Sequence, residues 1–410
     1  MIEVHIDRIA AGGAGVGRLA DGLAVFVHRT APGDVAEVEI VRRRARHATG
    51  RVHRLVSPGP GRVAPACRHY DRDRCGGCQL QHLDAATQLA AKRRIVGDAL
   101  RRIAKRDVAD PEIVPSPAAW RYRVKLSLAA ARGRIGLHEL ERPGRVFPLE
   151  DCTITADSLM AIWRRVRACG RLLPEGLTGL VLKVDGRGRA HVVVEGAAAG
   201  GDVWDAGPLA RELGDAGLVI WWRPPGGVAR VLAGEYDGVP PDTFAQVNPA
   251  LAPRVRGDAV HALGPVAGRV VWDLYGGVGE AAERLAAAGA TVWLVDSDPH
   301  AIAWAADRAG RSGLAIHSIA ARAEEALRRL PDADVVLANP PRAGLHERVA
   351  AHLAAWGARR DARLVYVSCD PATLARDLHR MPSLALRSVT AYDLFPQTAH
   401  VETMAVLEGG

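Results

Sequence analysis

Residues 270–279, VVWDLYGGVG, decide the fold. An apolar run carrying Asp273 near its end passes into Tyr275, Gly276, Gly277 and Gly279, after which the helical stretch AAERLAAAG begins. Glycines are needed where a backbone turns sharply and passes close to a ligand, because a Cβ would collide there. The next strand, TVWLVDSD (291–298), carries Asp296 twenty residues beyond Gly276, where an acid can accept hydrogen bonds from both hydroxyls of a ribose. Gly277, Gly279 and Ala282 also satisfy the G-x-G-x-x-A spelling of a dinucleotide site. Asp273 weighs against a dinucleotide: a strand-end carboxylate repels a pyrophosphate but suits a cationic sulfonium and an amino acid tail. The loop is therefore read as a seat for S-adenosylmethionine.

Working downstream, strand and helix keep alternating through ADVVLANPPRAG, RLVYVSCDPATLARDL and AHVETMAVL. The reading over 244–410 is an α/β doubly wound, Rossmann-like domain with a parallel sheet. In such sheets ligands sit at the carboxyl ends of the strands, where Asp273, Asp296, Asn339 and Cys369 all fall. Two prolines after Asn339 fix the backbone and aim its side chain. Asn-Pro-Pro followed by an aromatic residue would suggest methylation of an exocyclic amine, but here Arg342 follows. Cys369 precedes Asp370 and Pro371, a helix cap and a first-turn proline, so the helix dipole favours its thiolate while Asp370 opposes it. His400 and Glu402 lie two apart and on a strand would share a face. Together a thiol and a carboxylate define a chemistry. Carbon 5 of uracil is a poor nucleophile until a thiolate adds to carbon 6, and a base must later remove the carbon 5 proton.

Upstream, residues 1–56 read as short strands with glycine and Pro-Gly turns, a small β-barrel of the kind that binds single-stranded nucleic acid in an electrostatic groove. The net charge of +8 is concentrated at this end. Residues 1–110 carry 20 Lys+Arg against 12 Asp+Glu, and the rest of the chain is balanced at 34 each. A basic front on a neutral body fits an enzyme with a polyanion-binding module. The linker SPGPGRVAP leads to CRHYDRDRCGGCQLQH and then to a helix capped by Asp84, with Leu89, Val96, Leu100 and Ile103 on one face and Arg94, Arg101 and Lys105 on another. Residues 57–243 as a whole read as a central α+β domain. No apolar run is long enough to span a membrane, and MIEVHIDRIAAGGAG lacks the order of a secretory signal, so a cytoplasmic protein is expected. Six cysteines are too few for a disulfide scaffold, which makes a cluster among them a metal or catalytic feature.

The cluster is Cys67, Cys75 and Cys78, with Cys152 far downstream. Four thiolates can hold zinc or an iron–sulfur group, and His69 and His82 could substitute as ligands. Cys169 is read as structural.

The stretches GAGVGR, DGLAVFV, PGD, CGGCQLQH, FAQVN, DLYGGVG, NPPRAG, VSCDPATLARD and HVETMAVL span nearly the whole chain, and in them it resembles the RNA uracil-5 methyltransferases that act on large-subunit ribosomal RNA and begin with a TRAM-type domain. The resemblance implies Cys369 as nucleophile and Glu402 as proton acceptor. It places Gln246, Tyr275, Glu280, Asp296 and Asn339 at the donor, beside Asp273, Gly277 and Gly279. It also implies a [4Fe-4S] cluster on the three clustered cysteines and Cys152, ahead of zinc, and ribosomal RNA as the partner. The chain departs from the family at Tyr275-Gly276, where Phe-Cys is usual, at Glu280, where Asn is frequent, and at Asn339, where Asp is common. Two other readings follow from the residues: an amine-directed methyltransferase using Asn339, and an iron–sulfur RNA-binding protein with a decayed catalytic domain, motivated by Gly276 and Glu280.

Overall fold

The computed structural model describes residues 1–197, 203–214, 217–359 and 361–410. Five strands, β1 (Ile2–Ile9), β2 (Ala14–Arg18), β3 (Ala24–His28), β4 (Val35–Arg43) and β5 (Ala48–Ser57), close a barrel in the order β1-β2-β3-β5-β4. Alternation builds its core: Val4, Ile6, Val25, Val27, Ala36 and Val38 point inward and are buried. The arginines at 42, 44 and 46 stand exposed at the β4–β5 turn.

After α1 (Arg68–Arg72) comes α2 (Ala85–Arg102), capped as expected by the Asp84 carboxylate, which accepts the Thr87 amide at 2.7 Å. Its buried face is broader than the apolar stripe suggests. Gln88 and Lys92 are buried with Val96 and Leu100, whereas Ile103 is exposed. The strand β6 (Glu112–Val114) follows. Although both lie within 57–243, α2 packs on the C-terminal domain and β6 is the edge strand of its sheet.

The central sheet joins β7 (Lys125–Ala131), β8 (Arg134–His138), β9 (Val146–Pro148), β10 (Gly176–Val184), β11 (Ala190–Ala197), β12 (Leu218–Arg223) and β13 (Arg230–Ala233) in the order β13-β12-β11-β10-β7-β8-β9. Against one face lie α3 (Asp157–Ala168) and α4 (Gly207–Leu213). Helical spacing puts Leu159, Met160, Trp163 and Val166 on the buried side of α3, each such side chain contributing about 1.5–3 kcal/mol.

After α5 (Ala252–Ala262), the third domain alternates β14 (Val270–Leu274), α6 (Glu280–Ala287), β15 (Thr291–Asp296), α7 (Pro299–Ser312), β16 (Ile316–Ala320), α8 (Ala323–Ala326), β17 (Val335–Ala338), α9 (Glu347–Trp356), β18 (Arg363–Ser368) and α10 (Pro371–Arg380). The strands β19 (Leu384–Tyr392) and β20 (Glu402–Gly409) complete it. The sheet order is β16-β15-β14-β17-β18-β20-β19-β6. From β16 to β18 all neighbours are parallel, as expected, but β20 lies antiparallel between β18 and β19. The expectation of a wholly parallel sheet is corrected there, because β19 and β20 have no crossover helix between them and the chain simply turns back.

No helix among the described residues is long and apolar enough to cross a membrane.

Candidate active site

One cavity of about 1250 Å³ opens along the carboxyl ends of β14, β15, β17 and β18 and runs to the cysteine segment. Gln246, Asp273, Tyr275, Gly277, Glu280, Asp296, Asn339, Cys369 and Glu402 all line it. These nine span residues 246 to 402 and are brought together at one edge of the sheet.

The donor side is a glycine loop under tension. Tyr275 holds φ at 61°, unusual for a bulky residue, and its amide donates to the Val295 carbonyl at 2.8 Å. Gly277 and Gly279 hold φ at 56° and 77°, and Gly279 stands directly before α6. Asp296 ties the loop down: one carboxylate oxygen accepts the Gly277 amide at 2.8 Å and the other the Asp298 amide at 2.9 Å. Asp273 is 1% exposed, and its Oδ2 has no partner. Burial pushes its pKa up to about 7, so it stands under the loop half ready to shed its charge. Asn339, half-buried, leaves β17 with its amide donating to the Leu274 carbonyl at 3.1 Å. Gln246 sits on a segment held by the Val124 amide, which donates to the Val247 carbonyl at 3.0 Å.

On the reacting side, Ser368 pairs with Thr403 in the antiparallel register of β18 and β20. Cys369 follows Ser368 at the end of β18 and Glu402 precedes Thr403 at the start of β20, near enough for the Glu402 charge to act on the Cys369 thiol. Asp370 caps α10, accepting the Ala372 and Thr373 amides, both at 2.9 Å. Burial raises the Cys369 pKa and the Glu402 charge adds to it, while the Arg342 guanidinium works in the opposite direction. Glu402 is 1% exposed, with Oε2 unpartnered, and burial lifts its pKa to about 7. His400 is the exposed residue of an otherwise buried loop before β20, not on the strand expected, so it shares no strand face with Glu402.

Sequence reasoning missed how this end is held. The loop before β20 is clamped by the cysteine segment and α2. Gln88 and Gln397 exchange two hydrogen bonds of 3.0 Å, Leu80 donates to the Gln397 carbonyl at 3.0 Å, and Gln79 accepts the Ala399 amide at 3.2 Å. Buried Lys92 pairs with Asp393 and donates to the Phe395 carbonyl at 2.9 Å. A glutamine and a lysine inside an amphipathic helix were the available signal. Arg342 and Arg256, both facing the cavity, were also missed as site residues.

The four cysteines Cys67, Cys75, Cys78 and Cys152 line the far end of the same cavity and are free thiols. They lie within electrostatic reach of one another: burial pushes the Cys75 thiol up to about 11, with the charges of Cys152 and Cys67 adding to it. Among the described residues no group of three or more His, Cys, Asp or Glu side chains is assembled as a metal-coordinating set. The two histidines are occupied. His69 Nδ1 meets Asp73 at 2.7 Å and its Nε2 accepts the Glu150 amide at 3.2 Å, while His82 meets Tyr70 at 2.6 Å and the Thr30 carbonyl at 3.0 Å. The donors that remain are sulfur alone, which fits thiolate chemistry.

Comparison with known proteins agrees with this geometry. The family model described as tRNA (Uracil-5-)-methyltransferase matches residues 325–409, the stretch holding Asn339, Cys369 and Glu402, and the TRAM domain model matches residues 1–53. A protein named as an RNA methyltransferase in Thermosynechococcus vestitus is 33% identical, the alignment covering 99% of this chain and 97% of that one. The 23S rRNA (uracil(1939)-C(5))-methyltransferase RlmD of Thiobacillus denitrificans is 31% identical, covering 97% of each chain. The chain belongs to the RNA (uracil-5-)-methyltransferase family. It is an S-adenosylmethionine-dependent enzyme of that class. The fold is also that of a Pyrococcus abyssi tRNA (uracil-54, C5)-methyltransferase solved with S-adenosyl-L-homocysteine, at a TM-score of 0.74 and 24% identity, covering 98% of this chain and all of the other.

Two departures of this uracil-5 methyltransferase have local explanations. A Cβ at Gly276 would come within 2.4 Å of Leu294 and 2.7 Å of the Asp273 carboxylate, so the missing side chain makes room for that buried leucine. Glu280 does not stand alone: it is ion-paired with Arg256 of α5.

Proposed function

We propose that this enzyme methylates carbon 5 of a uridine in 23S ribosomal RNA through a transient bond between Cys369 and carbon 6 of the base. The observation that carries this reading is the antiparallel pairing of β18 and β20, which ends at Ser368 and Thr403, the neighbours of Cys369 and Glu402, and opens both into the cavity that also holds the donor positions. The Cys369 thiolate, favoured by Arg342 and the start of α10, adds to carbon 6 and pushes the electron pair onto the uracil oxygen as an enolate. Carbon 5 then attacks the sulfonium methyl, forming the new carbon–carbon bond and releasing S-adenosylhomocysteine. Glu402, buried and poised near pH 7, takes the carbon 5 proton, and the pair left behind restores the double bond and expels the thiolate. Gln246, Asp273, Tyr275, Gly277, Gly279, Glu280, Asp296 and Asn339 are the proposed donor positions. The barrel, with its exposed arginines, would hold phosphates while the base is flipped into the cavity. The names of the relatives favour ribosomal RNA, and the cytoplasm is the proposed place of action.

The division at residues 56 and 243 is retained as a proposal, amended by the packing of α2 and β6 on the third domain. We propose as well that Cys67, Cys75, Cys78 and Cys152 hold a [4Fe-4S] cluster, supported by the sulfur-only donor set. When bound, the cluster would supply a cross-link between the 67–78 segment and Cys152. This chain's own Gln79 and Leu80 would pass that rigidity to the loop before Glu402.

RNA carrying 5-fluorouridine tests the chemistry. Fluorine blocks the final elimination, so the wild type should form a stable protein–RNA adduct with donor present, and Cys369→Ser none. An adduct in the serine variant would end the proposal. Mapping methylated uridines in 23S and transfer RNA from a strain lacking the gene decides the substrate.

A further inference from the structure

We infer that Arg256 and Glu280 form the seat of the donor's amino acid end, the guanidinium taking its carboxylate and Glu280 its ammonium. This rests on the reading of the cavity as a S-adenosylmethionine site and adds to it a residue that no motif marked.

The ion pair lies inside the cavity, at the glycine loop, with Arg256 reaching from α5 and Glu280 opening α6. The two helices are fixed relative to each other by apolar packing, with Val255 and Ala259 of α5 in one core with Ala282 and Leu285 of α6. The pair's spacing is therefore set by the scaffold. The Arg256 side chain is 20% exposed and that of Glu280 is 50% exposed, so the guanidinium is the more withdrawn from water.

The charges also need each other in this setting. Asp273, with an unpartnered buried oxygen, and Asp296 stand on the same side of the cavity. A third carboxylate at 280 with no cation beside it would repel the tail carboxylate of any donor. Arg256 cancels that charge and supplies the planar two-pronged donor that carboxylates accept best. The methionine end of the donor is a zwitterion, with its two charges on one carbon. Entry of that amino acid tail exchanges one internal ion pair for two intermolecular ones and adds no net charge beyond that of the sulfonium.

Titration calorimetry on the full-length protein can separate this claim from its parent. S-adenosylhomocysteine carries the amino acid tail, and 5′-methylthioadenosine presents the same nucleoside without it. Arg256→Ala and Arg256→Gln should weaken S-adenosylhomocysteine binding by about ten- to a hundredfold, the scale of losing a charged hydrogen bond, and leave methylthioadenosine binding unchanged. Undiminished S-adenosylhomocysteine affinity in both variants overturns the inference while the donor site stands. Equal loss of both ligands overturns it too, since the residue would then support the pocket without reading the tail. A wild type that binds neither ligand removes the donor reading itself.

Discussion

Replacing Glu402 by Gln should make the fold more stable at high pH while disabling turnover. The carboxyl group is 1% exposed with one oxygen unpartnered, and its pKa is raised to about 7 by burial alone. A carboxyl group whose folded value lies above its unfolded one stabilises the fold when protonated. That contribution is complete below the unfolded value near 4.5 and is lost as pH rises through about 7. Between about pH 5 and pH 8 the wild type should therefore lose roughly 2–3 kcal/mol from this residue, and Glu402→Gln none of it. Groups shared by both proteins, the raised Asp273 included, cancel in the comparison. Urea titrations read by hydrogen exchange of peptides spanning β18 and β20 confine the measurement to the sheet that holds the residue, as a multidomain chain requires. The stability gap between variant and wild type should move in favour of Gln by that amount across the interval. A gap that stays constant within about 0.5 kcal/mol would refute the burial argument. Activity should follow the same ionisation in reverse: turnover falls below about pH 7 as the base is protonated, and Glu402→Gln accumulates the covalent adduct on unsubstituted RNA.

Three further outcomes are expected. Gln88→Ala removes both hydrogen bonds to Gln397, costing about 1–3 kcal/mol, and should lower kcat with donor affinity unchanged by calorimetry. Gly344→Ala places a Cβ 2.3 Å from the Asp377 carboxylate and from Thr373, at a φ of 79°, so a loss of at least about 1–3 kcal/mol should appear in thermal unfolding. Cys78→Ser should strip iron and acid-labile sulfide from anaerobically purified protein; zinc in the wild type would replace the cluster reading.

The glycine loop, the strand-end acids and the cap of α10 were legible because each depends on short-range rules: a positive φ that favours glycine, a carboxylate within reach of the next amides, a proline in a first turn. The barrel was legible from period-two alternation. The site residues spread over Gln246, Asp273, Tyr275, Glu280, Asp296, Asn339, Cys369 and Glu402 could be named one at a time, and the structure brings them to one cavity.

What no local pattern carried was direction and docking. Read as another parallel strand, β20 would start at the far edge of the sheet from Cys369. Running antiparallel, it begins at the ligand edge and delivers Glu402 to the thiol. Likewise Gln88 and Lys92 look like solvent-facing helix residues until α2 meets the loop at 393–400, and Arg256 looks like a surface arginine until α5 lies beside Glu280. A chain's own residues determine which segments bend, cap and bury. Which ends meet depends on pairing between segments from 24 to 309 residues apart, where the free energy lies in the contacts themselves and no local pattern contains both partners.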